Sequence, residues 1–138
     1  MTIRTATPYL ILHGAAEKAV AFYGQALGAK THTLQRFGDV NGSCPVAQRN
    51  LVMHAELRVG QAQLMLSDGP GEGAIPKGGP VSVALDFDDE AEGRRSFEAL
   101  AKGGQVIEPL FQAPWGALFG VVQDAFGISW MFNCALKA

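Results

Sequence analysis

The chain has 138 residues, enough for one domain with its own core and too few for two domains of ordinary size. Hydrophobic residues make up 48% and charged residues 17% of the sequence, and the formal net charge of -2 excludes a broad basic surface for nucleic acid. The two cysteines, Cys44 and Cys134, are too few for the disulfide framework of a small secreted domain, so we expect free thiols.

The first half of the chain shows the pattern of a strand, a helix and three more strands. Short apolar or alternating runs predict four strands, which cover 10–12, 30–37, 51–59 and 62–67. Apolar residues at helical spacing predict a helix over 15–27, which Gly28 ends. A long loop is predicted over 38–50, whereas Gly60 and Gln61 predict a tight turn between the last two strands.

The second half repeats this order after a linker. Residues 69–80 are rich in glycine and proline, which predicts an irregular connection. Beyond it, Asp88 and Asp89 can cap a helix over 90–101. Four further strands are predicted, over 81–87, 106–111, 117–122 and 128–134. The repeated order indicates two similar modules with a common core, and a ferredoxin-like or unrelated α+β sandwich is the alternative.

Three segments of the chain resemble PhnB-like proteins. They are the opening TPYL at 7–10 with FY at 22–23 and LGA at 27–29, the hairpin MHAELRVG at 53–60 with LMLSD at 64–68, and the ending QDAFGISWMFN at 123–133. The chain is therefore similar to the PhnB-like branch of the vicinal-oxygen-chelate superfamily, which also contains glyoxalases, bleomycin resistance proteins and dioxygenases.

This resemblance implies an α+β fold. Two tandem βαβββ modules would form a curled mixed sheet around a shared cavity, with the helices outside. The chain would be a single domain over 1–138, with module one at about 7–68, the linker at about 69–80 and module two at about 81–134. The resemblance also implies a homodimer that binds a small-molecule ligand.

The resemblance further implies where a metal would be bound. In metal-dependent relatives, the first and last strands of each module supply four ligands, typically His, Glu or Gln, to a divalent ion. The matching positions are Pro8 (or Tyr9 if the register differs by one), Met65, Ser82 and Met131. Thioethers are soft ligands and a neutral hydroxyl is a weak one, so this set would hold a hard divalent ion poorly. We expect no metal and no other cofactor.

His54 and Glu56 are the candidates for chemistry. The predicted strand alternates, with Met53, Ala55, Leu57 and Val59 on one face and His54, Glu56 and Arg58 on the other. A histidine titrates near neutral pH, so beside a carboxylate it can act as a general acid or base. There are two alternatives. The pair could supply half of the ligands of a metal site at a new position, or it could belong to a solvated strand face that includes Arg58. For His13 and His32 we expect structural or surface roles.

Further residues are predicted to line a mixed apolar and polar pocket, which suits a small organic ligand. Trp115 lies in a turn rich in proline and glycine and could act as a lid or a stacking surface, whereas Trp130 is expected in the core. The predicted ligand-binding residues are Arg58, Ser82, Asp86, Trp115, Phe119, Val121, Met65 and Met131.

Two functions from different classes remain open. One is a metal-free protein that binds a small molecule, as some bleomycin resistance proteins do. The other is a lyase or isomerase for a small oxygenated or phosphonate-like substrate, with His54 and Glu56 or a divalent metal. A methyltransferase is not expected, because no strand leads through a glycine-rich turn into a helix. Without a signal-like segment or a long apolar run, we expect no membrane partner and a cytoplasmic protein.

Overall fold

The computed structural model describes residues 5–40, 42–69 and 81–136. The chain forms two compact units, Met1–Ile75 and Pro76–Ala138, which we call the first and the second unit. Apart from Gly69, the linker predicted over 69–80 lies outside the described residues. The single domain predicted over 1–138 therefore stays a prediction.

The first unit contains a four-stranded mixed sheet and one long helix among its described residues. Its elements are β1 (Tyr9–Ile11), α1 (Ala16–Leu27), β2 (Lys30–Arg36), α2 (Phe37–Val40), a 3-10 helix (Val46–Gln48), β3 (Val52–Val59) and β4 (Ala62–Ser67). The strands lie in the order β1-β4-β3-β2. β1 is parallel to β4, and the other neighbours are antiparallel.

The second unit repeats this arrangement. Its described elements are β5 (Val83–Phe87), α3 (Glu90–Ala101), β6 (Gln105–Ala113), β7 (Ala117–Gln123) and β8 (Ser129–Ala135). The strand order is β5-β8-β7-β6, again with the first pair parallel and the others antiparallel. The predicted α+β fold of two tandem βαβββ modules is thus confirmed. No helix in the described ranges is long and apolar enough to cross a membrane.

Helix α1 packs through small residues and one aromatic ring. Its buried positions, Ala16, Ala19, Tyr23 and Ala26, recur every three or four residues and so form one stripe. The helix ends where Gly28 adopts a left-handed conformation (φ 68°) and donates its backbone N–H to the carbonyl oxygen of Tyr23. This is the stop that the sequence predicted.

Helix α3 covers one face of the second sheet. Asp89 caps it by accepting a hydrogen bond from the backbone N–H of Ala91, as predicted. Phe97 packs edge-on against Phe132, with 5.2 Å between the ring centroids. A Cβ atom at Gly120 would lie 2.8 Å from the Phe97 ring, so only glycine allows this close approach.

Two local predictions were wrong. Phe37 does not continue β2 but begins α2, because the Asp39 carboxylate accepts a hydrogen bond from the backbone N–H of Arg36 and turns the chain there. The region 38–50 therefore contains short helical segments as well as loop. Met53 was predicted on the same face of β3 as Ala55 and Leu57, which are buried. Val52 is buried there instead, because the pairing between β2 and β3 is irregular at this point.

Asp68 connects three segments of the first unit. Its side chain is 2% exposed, and Oδ1 accepts hydrogen bonds from the backbone N–H groups of Gly14 and Ala16, each 2.8 Å long. Oδ2 accepts a third, also 2.8 Å, from the N–H of Val52 at the start of β3. The N-cap residue Ala15 makes no side-chain hydrogen bond, so this distant carboxylate satisfies the first N–H group of α1, that of Ala16.

Replacement of Asp68 by asparagine should lower the free energy of unfolding by about 2–4 kcal/mol. The amide places an NH2 group where the carboxylate accepts hydrogen bonds, so at least one buried backbone N–H loses its partner. Denaturant unfolding curves measure the change. Asp39→Asn is the matched control, since that carboxylate is exposed and accepts one backbone hydrogen bond. Equal midpoints for Asp68→Asn and the unmodified chain would contradict this role.

Candidate functional site

A polar cluster lies on the first sheet, on the face opposite the buried residues of β3 and β4. It consists of Tyr9 on β1, His54 and Glu56 on β3, and Met65 on β4, and we call it the His54 cluster. Met65 pairs with Tyr9 on one side and with Glu56 on the other, so these three residues form a row across the sheet. The structure thus brings together both predicted catalytic residues and one predicted ligand-binding residue.

His54 is linked to a neighbour at each ring nitrogen. Nδ1 lies 2.9 Å from the Tyr9 hydroxyl oxygen, and Nε2 lies 3.6 Å from Oε1 of Glu56, which is ion-pair distance. The side chains of His54 and Glu56 are each 27% exposed, so both are half-buried. With its proton on Nε2, facing the carboxylate, the imidazole accepts a hydrogen bond from the phenol at Nδ1. The geometry is that of a carboxylate, an imidazole and a phenol in series.

Arg58 and the other two histidines lie apart from this cluster. Arg58 is exposed near the end of β3, where it pairs with Lys30 and Gln63. His13 lies in the turn before α1 with φ 47°, and its buried Nδ1 has no hydrogen-bond partner in the described part of the chain. His32 is exposed on the edge strand β2. Their roles stay predictions.

The second sheet carries an aromatic and polar cluster. A row across the sheet contains Asp86 on β5, Asn133 on β8, Phe119 on β7 and Phe111 on β6, and Trp115 extends from the turn before β7. We call these five residues the Trp115 cluster. The structure therefore brings together three predicted ligand-binding residues, Asp86, Trp115 and Phe119.

Hydrogen bonds and ring contacts order the Trp115 cluster. The indole Nε1 of Trp115 donates to Oδ1 of Asn133 over 3.2 Å, and Nδ2 of Asn133 donates to Oδ1 of Asp86, also over 3.2 Å. Phe119 lies edge-on to Trp115 at 5.4 Å and edge-on to Phe111 at 6.1 Å between ring centroids. The side chain of Asn133 thus connects an exposed indole to an exposed carboxylate.

The remaining predicted residues lie in neighbouring rows of the same sheet. Met131 pairs with Ala84 and with Val121, one row from the Trp115 cluster. Ser82 lies directly before β5, and its hydroxyl is 2.7 Å from that of Ser129. The resemblance implied Ser82 and Met131 as the two metal positions of module two, but the strand register places Ala84, and not Ser82, beside Met131.

The side chains at the positions that the resemblance implies for metal ligands, as the strand register pairs them, do not fit a hard divalent ion. The parallel strand pairs place Tyr9 beside Met65 in the first unit and Ala84 beside Met131 in the second. These residues offer a phenol, a methyl group and two thioethers, whereas such an ion prefers carboxylate and imidazole ligands. Over residues 5–40, 42–69 and 81–136, no three His, Cys, Asp or Glu side chains come together as a metal-binding group.

Sequence reasoning missed three members of these clusters as functional residues. Tyr9 was considered only as a metal position, because nothing in the sequence relates it to a histidine 45 residues away. Asn133 alternates with Met131 along β8, and that spacing could have placed it on the same face. Phe111 follows Pro109 in an edge strand with an irregular register, where alternation is a poor guide.

The two repeated modules and the ordered side chains on both sheets agree with the family to which sequence comparison assigns the chain. The chain belongs to the Glyoxalase/Bleomycin resistance protein/Dioxygenase superfamily, whose sequence profile matches residues 7–132. It is 31% identical over 137 residues to Protein YjdN of Escherichia coli K12, with 92% of each chain covered. The predicted resemblance is therefore confirmed.

Solved structures agree with this membership. Protein PA1353 from Pseudomonas aeruginosa superimposes with a TM-score of 0.84 and 38% sequence identity, over 98% of this chain and 100% of that one. The PhnB protein from Bacillus cereus, described as a putative 3-demethylubiquinone-9 3-methyltransferase, gives a TM-score of 0.78 and 24% identity over 96% of this chain and 100% of its own. The latter likeness shows the fold alone.

Cys134 lies next to the Trp115 cluster but on the buried side of β8. Burial raises the pKa of its thiol, and the negative charges of Glu90, Asp89, Asp86 and Asp88 raise it further. Cys44, in contrast, is half-buried in the first unit. The raised pKa leaves Cys134 with little reactive thiolate near neutral pH.

In the native protein, Cys134 should react with iodoacetamide at least about tenfold more slowly than Cys44, because the thiolate is the nucleophile. The variants Cys44→Ser and Cys134→Ser isolate each thiol, and the same reaction in denaturant is the control for equal intrinsic reactivity. Folding raises the pKa of the Cys134 thiol. As pH rises above about 8.5, this thiol therefore ionises first in the unfolded chain, and the stability that Cys134 contributes to the folded state is lost. Equal native rates would contradict this assignment.

Proposed function

We propose that this chain binds a small organic molecule and does so without the divalent ion that metal-dependent members of the superfamily hold. The observation that carries the proposal is Trp115, whose side chain is 61% exposed and yet held by a hydrogen bond to Asn133 and a ring contact with Phe119. An exposed aromatic ring with a fixed orientation can bind a ligand at a low entropic cost.

The donor chemistry supports the metal-free part of the proposal. Met65 and Met131 stand in register with Tyr9 and Ala84, and none of these side chains is a good ligand for a hard divalent ion. The methionines instead supply polarisable apolar surface beside the two clusters. Apolar surface with a few ordered polar groups is typical of sites for small organic molecules.

The wider assignment follows the resemblance to the superfamily. We propose a homodimer in the cytoplasm, with a small-molecule ligand and with neither nucleic acid nor a membrane as partner. The chain would act as a single domain, with modules at about 7–68 and 81–134 joined by the linker at about 69–80.

The His54 cluster favours a second candidate, an isomerase or lyase that works by proton transfer. In this reaction His54 takes the proton of the Tyr9 hydroxyl at Nδ1, and Glu56 stabilises the imidazolium at Nε2. The Tyr9 phenolate then accepts a proton from the carbon next to a substrate carbonyl. Tyr9 is 44% exposed, so a substrate can approach this residue.

The binding proposal can be tested with the two indole N–H signals of the protein. Trp115 is exposed, whereas Trp130 is buried with its Nε1 2.8 Å from Oδ2 of Asp124, so Trp130 serves as an internal control. A library of small organic compounds should contain ligands that shift the Trp115 signal in nitrogen-proton NMR spectra and leave the Trp130 signal unchanged. Trp115→Phe assigns the signals.

The same samples test metal independence. Binding should persist in the presence of a chelator, and elemental analysis of the purified chain should find much less than one divalent ion per chain. One tightly bound ion per chain would contradict the metal-free part of the proposal. If no compound in the library shifts the Trp115 signal, the proposal that the chain binds a small organic molecule is contradicted.

Proton-transfer activity would show as solvent deuterium exchange into small hydroxyketones or phosphonates, followed by NMR. If the chain is an enzyme of this kind, His54→Gln and Tyr9→Phe should each slow the exchange by about 100-fold or more, the usual contribution of a general acid or base. His32→Gln, at an exposed position on β2, is the matched control and should leave the rate unchanged. Exchange no faster than in buffer would eliminate this candidate.

A further inference from the structure

We propose that the Trp115 cluster takes an organic cation, namely an ammonium group attached to an apolar or aromatic body. This inference rests on the proposed function and adds the class of ligand.

Two aromatic side chains of the cluster are exposed to solvent. Trp115 is 61% and Phe111 40% exposed, and Phe119 lies edge-on between them. The face of an aromatic ring carries partial negative charge and attracts a cation, most strongly when the ring is an indole. Two exposed rings held by a third therefore offer surface for both an ammonium group and its apolar body.

The orientation of the indole is determined by the amide of Asn133. Its oxygen accepts from Trp115 Nε1 and its NH2 group donates to Asp86, so only one orientation of the amide satisfies both partners. The Asp86 carboxylate therefore fixes the amide, and the amide fixes the ring. A ring held in this way loses little freedom when a ligand binds.

Asp86 also supplies the negative charge. Its Oδ1 is bound to Asn133, while Oδ2 has no hydrogen-bond partner within the described residues and the side chain is exposed. Along the chain, Asp89 caps α3 and Glu90 pairs with Arg94 at 3.0 Å, so both are partly satisfied. The raised pKa of Cys134 supports a negative potential at this end of the sheet, because Asp86 is among its causes.

The negative charge of Asp86 thus favours a cation over the other ligands that bind to an aromatic surface. A neutral aromatic compound would use the rings alone, and an anion would be repelled by Asp86 and by Asp88 close by in sequence. A second copy of the chain could also cover Trp115, but the exposed carboxylate beside the indole disfavours an apolar protein contact. The observations therefore favour a small cation.

The test compares three probes of similar size and different charge, namely benzylammonium, benzyl alcohol and benzoate. Each is titrated into the full chain at constant ionic strength, and the Trp115 indole signal is followed. Benzylammonium should bind about tenfold more tightly than benzyl alcohol, and benzoate most weakly. Asp86→Asn, which keeps an oxygen for the Asn133 amide, should weaken benzylammonium about five- to tenfold and leave benzyl alcohol unchanged.

Glu98→Gln is the matched control, because Glu98 is an exposed carboxylate on α3 outside the cluster and its loss should change no affinity. Equal affinity for benzylammonium and benzyl alcohol, or an Asp86→Asn variant that binds benzylammonium normally, would overturn the cation site and leave the proposed function standing. If no probe shifts the Trp115 signal, the cation site is overturned, and the proposed function is decided separately by the compound library. A Trp115 signal that depends on protein concentration and resists every probe would identify a second copy as the occupant and overturn the cation site.

Discussion

The carboxylate of Asp68 joins the end of β4 to the beginning of α1 and the beginning of β3 through three backbone N–H groups. A buried charge is stable only when such partners satisfy it, so these three segments must keep their positions relative to one another. β1 and β4 run parallel directly before these contacts. These contacts hold the segments that adjoin the row of Tyr9, Met65 and Glu56, which the strand pairing itself brings together. In the second unit, Asp124 orders the turn between β7 and β8 and holds the indole of Trp130.

The two units use one backbone pattern for different surfaces. Both sheets have the same strand order and the same parallel pair. Nevertheless, their faces carry residues of different chemistry. The first presents a carboxylate, an imidazole and a phenol, which can exchange a proton. The second presents aromatic rings and a carboxylate connected by an amide. A shared architecture thus does not determine a shared chemistry, because function depends on the side chains that each face carries.

Much of the fold could be predicted because its signals are local. The helix stop at Gly28, the cap at Asp89 and the tight turn at Gly60 each follow from a few neighbouring residues, and all three occur in the structure. Phe37 could not be assigned, because a hydrogen bond from Arg36 to Asp39 decides between strand and helix there. Met53 was misplaced because an irregularity in strand pairing shifts the alternation.

The sequence by itself determined the repeat and the family. It also determined the sheet face on which His54 and Glu56 lie and the one on which Asp86 and Phe119 lie, because alternation with a period of two is a property of neighbouring residues. Only the tertiary structure decided the partners of these residues. Tyr9 meets His54 across 45 residues, Asn133 meets Asp86 across 47, and Met131 stands beside Ala84 instead of Ser82. Strand register is set by packing and by distant hydrogen bonds, such as those of Asp68, and a local pattern of residues does not contain it.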